Sequence, residues 1–161
     1  MKQLCSFPHK NSIRLVFLDF DGVFTDNKVH LDESGQEYVT CCRYDGFGLS
    51  SLIKKDILPI VLTTETKPLA RYRCSKLKIM CHDCVEDKYS LALQLLKSMQ
   101  LSLNQAAFLG NDINDLKLLE SVAFPIVTPD SNISVQKDRF YVTSYSGGNG
   151  CVREVCDYLC S

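Results

Sequence analysis

The feature that most constrains the fold is an alternation between short apolar runs and segments of helical periodicity. The first run, residues 13–20, is nearly continuous, as in a strand buried on both faces of a parallel sheet. Further candidate strands are residues 57–62, 79–81, 106–109, 123–127 and 139–142, and the candidate helices are residues 45–55, 67–77, 86–99, 112–120 and 151–159. This alternation predicts an α/β fold, a parallel sheet with helices on both faces.

Residues 22–40 interrupt the alternation and are predicted to form a β-hairpin. Two short segments, residues 29–31 (Val-His-Leu) and 38–40 (Tyr-Val-Thr), flank the turn residues 32–35. The hairpin follows the first strand directly, so we expect it to project over the carboxyl end of that strand. In open α/β sheets, ligands bind at that end.

Length and composition restrict the class of protein. The chain has 161 residues, of which 45% are hydrophobic and 23% charged, and this predicts one folded domain over residues 1–161. A formal net charge of -1 argues against a nucleic-acid binder. Residues 1–11 have no apolar run, and no stretch approaches the roughly 20 apolar residues of a membrane span. We therefore expect a cytoplasmic protein with no membrane partner, and we expect its nine cysteines to be reduced.

Two carboxylates, Asp19 and Asp21, lie one residue apart where the first apolar run enters a glycine turn. Because side chains alternate along a strand, both start on the same side and can converge on one centre. One carboxylate can attack a phosphoryl group, and the other can protonate a leaving oxygen and then activate water. A solvated Asp-x-Asp turn is the ordinary alternative, but an unpaired carboxylate is costly beside apolar residues 15–18.

Residues 19–26 resemble the first motif of the haloacid-dehalogenase phosphatases, a family with a Rossmann-like fold. The second motif of that family is a Ser or Thr at the end of a core strand, where this chain has Thr63. The third is a lysine, for which Lys88 at a helix start is the candidate and Lys78 a weaker competitor. Each match alone is weak, but their order along the chain makes the resemblance specific.

The fourth motif is an acidic loop, and residues 108–115 resemble it. The family often has Asp directly after the glycine of this loop, whereas this chain has Asn111. Asp112 is the favoured metal ligand, Asn111 remains the alternative, and Asp115 is expected to brace the loop. An Asn- and Asp-rich run is also an ordinary helix N-cap region, and the loop can serve both purposes.

The resemblance implies a Mg²⁺-dependent phosphatase. Mg²⁺ would be held by the Asp19 carboxylate, the Asp21 backbone carbonyl and Asp112 or Asn111. Thr63 and Lys88 would position and neutralise the phosphoryl oxygens. The Asp19 carboxylate would attack phosphorus, and Asp21 would protonate the leaving alcohol and then activate the water that hydrolyses the aspartyl-phosphate.

Within the family, the chain resembles the capless members, because only the hairpin could cover the site. Those members form tetramers in which neighbouring subunits complete the site, so a homotetramer is expected. The likeness to sugar-acid phosphatases, and to the domain fused to some CMP-sialic acid synthetases, lies in residues 43–48 and 147–155. Arg43 and Asp45 in the first segment are candidate substrate contacts. The second segment is a glycine-rich loop that opens a helix.

The second motif also bears on the substrate. The 3-deoxy-octulosonate 8-phosphate phosphatases usually carry Thr-Gly-Arg there, whereas this chain has Thr-Thr-Glu. That resembles the phosphatases of 2-keto-3-deoxynonulosonate 9-phosphate and its sialic-acid relatives, in which a Glu and a Lys contact the sugar acid. Carried over, Thr64, Glu65 and Lys76 would bind the substrate, since arginine's bidentate carboxylate fork is lost. A nonulosonate 9-phosphate is therefore the expected substrate, and the octulosonate 8-phosphate is the alternative.

A hypothesis of another class is a non-catalytic oligomerisation module, as in domains fused to sialic-acid synthetases. Asn111 at the fourth motif is the feature that favours it. The presence of Asp19, Asp21, Thr63 and Lys88 together argues against it.

Overall fold

The computed structural model describes residues 10–161 and contains one six-stranded sheet and one hairpin. The strands are β1 (Leu15–Leu18), β2 (His30–Leu31), β3 (Glu37–Tyr38), β4 (Leu58–Leu62), β5 (Met80–His82), β6 (Ala106–Gly110), β7 (Phe124–Val127) and β8 (Tyr141–Val142). The sheet has the order β5-β4-β1-β6-β7-β8, and every neighbouring pair is parallel. The antiparallel pair β2–β3 forms the hairpin, so the predicted fold class is confirmed.

Helices cover both faces of the sheet. They are α1 (Tyr44–Lys54), α2 (Leu69–Leu77), α3 (Lys88–Ser98), α4 (Leu116–Leu119) and α5 (Cys151–Cys160). The buried side chains of α1, α2 and α5 form one core cluster with alternate strand residues such as Val16 and Leu18. Those of α3 and α4 form a second cluster with Leu15 and Phe17. Strand β1 is therefore buried on both sides, as its continuous apolar run predicts.

Two elements differ from the sequence prediction. The strands of the hairpin are only two residues long, and Leu31 and Tyr38 on them are exposed. The predicted helix 112–120 is divided into a 3₁₀ turn, Ile113–Asp115, and the short α4. The division follows from Asp112 and Asp115, whose carboxylates bond to backbone N–H groups at the start of the segment.

The predictions on the N-terminal residues, on membrane spans and on the cysteines can be compared with the structure only within residues 10–161. Residues 1–9, on which the expectation of no export signal mostly depends, lie outside the described range. Among residues 10–161, no helix has the length and apolar character needed to cross a membrane. The eight cysteines in this range all have free thiols, and Cys5 lies outside it.

Candidate active site

The carboxyl ends of β1, β4 and β6 meet at one edge of the sheet, and each is followed by a polar residue. Strand pairing places Leu18 beside both Val61 and Leu109, so the residues that follow these strands are neighbours. The Asp19 N–H donates to the Leu109 carbonyl at 2.9 Å, which extends the pairing to the first catalytic candidate. The parallel register thus gathers residues that are far apart in the chain.

Lys88 is the centre of a buried ion-pair network at this edge. Its Nζ lies 2.8 Å from Oδ1 of Asp19 and 2.7 Å from Oδ1 of Asp115. All three side chains are nearly inaccessible to solvent, and Lys88 is only 2% exposed. Lys78, the weaker candidate, ends α2 in a left-handed conformation and is exposed. The structure therefore brings Lys88, and not Lys78, to Asp19.

The network holds two carboxylates but one ammonium. Burial, and then the Asp115 carboxylate, raise the pKa of Asp19 to about 8, although Lys88 opposes the shift. Burial alone would lower the pKa of Lys88, but Asp19 and Asp115 outweigh it and raise that pKa. Lys88 therefore remains protonated, and a further cation beside Asp19 would favour the ionised carboxylate that a nucleophile requires.

Asp115 braces the acidic loop, as the sequence predicts. Its Oδ2 accepts hydrogen bonds from the N–H groups of Asn111 at 2.8 Å and Asp112 at 3.2 Å, and the residue is fully buried. The role in pairing with Lys88 was not predicted. The signal for it was the position of Asp115 five residues after the buried β6, where a carboxylate requires a partner.

The two metal-ligand candidates in this loop have different surroundings. Oδ1 of Asn111 is buried and has no hydrogen-bond partner in the described part of the chain, and the side chain packs on Gly22. Oδ1 of Asp112 accepts from the Ile113 N–H at 2.7 Å, and the side chain is partly exposed. A buried amide oxygen without a partner is costly unless a donor or a cation occupies the space beside it.

Asp21 lies beside the nucleophile candidate and is half-buried. Burial, and then the neighbouring Glu65, raise its pKa, which suits a group that must hold a proton. The Thr25 hydroxyl donates to Oδ1 of Asp21 at 3.5 Å and accepts from the Gly22 N–H at 3.2 Å. Thr25 is completely buried and so fixes the turn that carries Asp21.

Thr63 and Glu65 lie in the turn that follows β4, at the same edge of the sheet. Thr63 is 1% exposed, and its hydroxyl accepts from the Glu65 N–H at 3.1 Å. Oε1 of Glu65 accepts from the N–H groups of Thr66 and Lys67 at 2.7 and 2.8 Å. Glu65 therefore shapes the turn after β4, whereas Thr64 is exposed on it.

A cleft of about 570 Å³ adjoins Phe20, the residue after Asp19. Two predicted substrate contacts, Arg43 and Lys76, line it, together with Arg73, which the sequence analysis did not select. Nη2 of Arg73 donates to the Cys42 carbonyl at 3.0 Å, while its buried Nε has no partner. The spacing of Arg73 and Lys76, three residues apart on a helix, is the pattern that could have identified it. Among residues 10–161, no acidic side chain lines this cleft, so it suits an anionic group.

Asp45 does not line this cleft, although its carboxyl group is close enough to interact with the charge of Arg73, which does. It is fully buried in the first turn of α1, where its Oδ1 accepts from the Arg153 N–H of α5 at 3.1 Å. This contact joins two helices, and a role for Asp45 in substrate binding stays a prediction.

The oxygen atoms at this sheet edge suit a divalent cation better than a site built from His and Cys side chains would. Within residues 10–161, no group of three or more His, Cys, Asp or Glu side chains is arranged to hold a metal ion. The expected ligands are instead a carboxylate, a backbone carbonyl and an amide or second carboxylate. The Asp19 carboxyl group and Oδ1 of Asn111, which has no hydrogen-bond partner among residues 10–161, both suit a hard cation that prefers oxygen ligands.

Comparisons with known proteins agree with this geometry. No family model matches the chain. The 3-deoxy-D-manno-octulosonate 8-phosphate phosphatase KdsC of Yersinia pestis is 31% identical over 149 residues, which is 92% of this chain and 80% of that protein. A protein of Streptomyces avermitilis assigned to the HAD family of hydrolases superposes with a TM-score of 0.89 at 32% identity, over 94% of this chain and 87% of the other. A third relative is the 3-deoxy-D-manno-octulosonate 8-phosphate phosphatase of Moraxella catarrhalis, in complex with magnesium, phosphate and KDO. It superposes with a TM-score of 0.90 at 28% identity, over 95% of this chain and 88% of the other.

Proposed function

This chain belongs to the haloacid-dehalogenase (HAD) sugar-acid phosphatases and is a phosphoric monoester hydrolase, and we propose that it acts through an aspartyl-phosphate on Asp19. The observation that carries the proposal is the buried Asp19–Lys88–Asp115 network at the carboxyl edge of the sheet. A purely structural module would not need an ammonium shared by two buried carboxylates, since such networks are costly to bury.

The side chains supply nucleophile, acid and phosphate contacts. Oδ1 of Asp19 is held by Lys88 and by its bond to the Phe20 N–H at 2.7 Å, which leaves Oδ2 free of these contacts to attack phosphorus. The phosphate–alcohol bond breaks as the aspartyl-phosphate forms, and Asp21 gives its proton to the leaving oxygen. Asp21 then takes a proton from the water that cleaves the aspartyl-phosphate. The Thr63 hydroxyl and Lys88 hold the phosphoryl oxygens through both steps.

Mg²⁺ is the proposed cofactor, and the Moraxella catarrhalis relative binds magnesium. Asp19, the Asp21 backbone carbonyl and the Asn111 side chain would hold it, and it would supply Lewis-acid activation of the phosphoryl group. The unpartnered Oδ1 of Asn111 supports this residue as the side-chain ligand in preference to Asp112, which already caps the following turn.

Two sugar acids compete as the substrate. The relatives in Yersinia pestis and Moraxella catarrhalis are octulosonate 8-phosphate phosphatases, which favours that substrate. Glu65 at the end of the second motif favours the nonulosonate 9-phosphate expected from the sequence. The cleft lined by Arg43, Arg73 and Lys76 supports a carboxylated sugar in either case.

Phosphate release tests the function directly. The wild-type chain should hydrolyse one of three substrates in the presence of Mg²⁺: 3-deoxy-octulosonate 8-phosphate, 2-keto-3-deoxynonulosonate 9-phosphate or N-acetylneuraminate 9-phosphate. Asp19→Asn should abolish release, while Asp26→Asn, which changes a carboxylate outside the proposed chemistry, should retain it. A preference above about tenfold, roughly 1.4 kcal/mol, would assign the substrate. Release that survives Asp19→Asn would refute the mechanism.

We also propose an oligomeric state for the protein. The hairpin β2–β3 is too small to close the site, so the chain would be a capless domain that works as a cytoplasmic homotetramer. Exposed apolar side chains on the hairpin, including Leu31 and Tyr38, support a contact between copies. Light scattering on the purified chain should give four times the monomer mass, and a monomer would contradict this part of the proposal.

A further inference from the structure

Two glycines between β8 and α5, Gly147 and Gly148, lie in close contact with the backbone of the loop that follows Asp19. A Cβ added at Gly147 would lie 2.2 Å from the Gly22 carbonyl oxygen, and one added at Gly148 would lie 2.7 Å from the Asp26 amide nitrogen. These atoms belong to the backbone, so no side-chain rotation could relieve the clash. The sequence by itself indicates a helix entry turn at these glycines, and the family resemblance implies that the loop also borders an active site.

Two hydrogen bonds join this segment to the loop after β1, and a third joins it to the segment after β7. The Gly148 N–H and the Cys151 thiol donate to the Val23 carbonyl at 3.0 and 3.2 Å. The Gly147 N–H donates to the Asp130 carboxylate at 3.2 Å. The glycine segment is thus tied to the turn after β1 on one side and to the segment after β7 on the other.

Gly22 is confined from the opposite side as well. A Cβ added there would lie 1.9 Å from Nδ2 of Asn111, so Gly22 is held between Gly147 and the Asn111 side chain. The nitrogen of Gly22 and the carbonyl of Asp21 share one planar peptide unit. Displacement of Gly22 would therefore move the Asp21 carbonyl relative to Asn111.

We propose that Gly147 and Gly148 are positioning residues that set the separation of the Asp21 backbone carbonyl and the Asn111 side chain for the divalent cation. The inference rests on the proposed function, because that function assigns these two oxygens to the cation. The glycines do not touch the cation or the substrate, and they act through the backbone of residues 22–26.

A matched pair of variants separates positioning from simple backbone strain. Gly148 and Gly150 both have positive φ angles, +71° and +104°, so alanine at either costs roughly 1–2 kcal/mol of strain. Only at Gly148 does the new Cβ meet backbone, since the nearest atom to a Cβ at Gly150 is the Cys42 sulfur at 4.0 Å. Titration calorimetry with Mg²⁺ on the full chain should give a Kd about tenfold or more weaker in Gly148→Ala than in Gly150→Ala.

If Gly148→Ala fails to fold, a second pair of variants at Asp130 tests the same inference with a smaller disturbance of the backbone. Asp130→Ala removes the acceptor of the Gly147 N–H, whereas Asp130→Asn retains an oxygen. Asp130→Ala should weaken Mg²⁺ binding several-fold, and Asp130→Asn should bind like wild type. Equal Mg²⁺ Kd values for Gly148→Ala and Gly150→Ala, or for Asp130→Ala and wild type, would overturn the inference.

The Mg²⁺ titration also distinguishes failure of this inference from failure of the proposed function. A wild-type chain that releases phosphate, with equal Kd values in the paired variants, refutes the positioning role alone. A wild-type chain that binds Mg²⁺ but releases no phosphate refutes the phosphatase mechanism, and unequal Kd values in the pairs would still support positioning.

Discussion

Replacement of Asp45 with Asn should change how the stability of the protein depends on pH. The carboxyl group is fully buried, its Oδ1 accepts the Arg153 N–H, and its Oδ2 has no partner. Burial raises the pKa of Asp45 from 3.8 to about 6, despite the hydrogen bond from Arg153 and the charge of Arg73. Between about pH 4 and 6 the folded protein therefore keeps a proton that the unfolded chain has released, and stability falls as pH rises through this window.

The pKa shift sets the size of the effect. A shift of about two units corresponds to about 3 kcal/mol, at roughly 1.4 kcal/mol per unit, and is an upper limit. Asn cannot ionise, and its side-chain oxygen can still accept the Arg153 N–H. The free energy of unfolding of Asp45→Asn, relative to wild type, should therefore rise by up to about 3 kcal/mol between about pH 4 and pH 7.

Urea unfolding of both proteins across this pH range measures the difference. The matched control is Asp157→Asn, which removes an exposed carboxylate that pairs with the Arg153 side chain at 2.8 Å. Its difference from wild type should show no such rise, because surface pairs contribute about 0–1 kcal/mol. A constant difference between Asp45→Asn and wild type from about pH 4 to 7 would refute the assignment of a raised pKa to Asp45. The KM of Asp45→Asn tests the predicted substrate contact in the same preparation.

Further predictions concern the ion-pair network, the cleft and the cation. Lys88→Met should destabilise the fold by about 3–5 kcal/mol in urea unfolding, because two buried carboxylates lose their shared cation. The double variant Lys88→Met/Asp115→Asn should regain part of the lost free energy of unfolding. A Lys88→Met variant as stable as wild type would contradict the role of Lys88 in neutralising the two carboxylates. Arg73→Gln should raise KM for a sugar-acid phosphate about tenfold with little change in kcat, and the reverse pattern would remove Arg73 from substrate binding. Asn111→Asp should bind Mg²⁺ more tightly in calorimetry, whereas Asp112→Asn should be unchanged; the opposite result would assign the metal to Asp112.

The order of strands and helices was predictable because burial leaves a local periodic pattern in the chain. Residues 15–18 are apolar without interruption and form a strand buried on both faces. The helix boundaries were less predictable, since Asp112 and Asp115 bond to nearby backbone N–H groups and divide the expected helix 112–120. Asp19 and Asp21, the side chains with the clearest local signal, directly follow β1 at the carboxyl edge of the sheet.

The sequence alone determined the fold class, the nucleophile candidate and the polar residues at the strand ends, because each depends on neighbours within a few positions. Only the tertiary structure decided which partners these groups meet. Lys88 shares its charge between Asp19 and Asp115, and Gly147 abuts Gly22, through contacts between segments that are distant in the chain. Such contacts leave no periodic signal in the sequence. They arise because parallel strands from distant parts of the chain pair side by side, and because backbone packs closely on backbone.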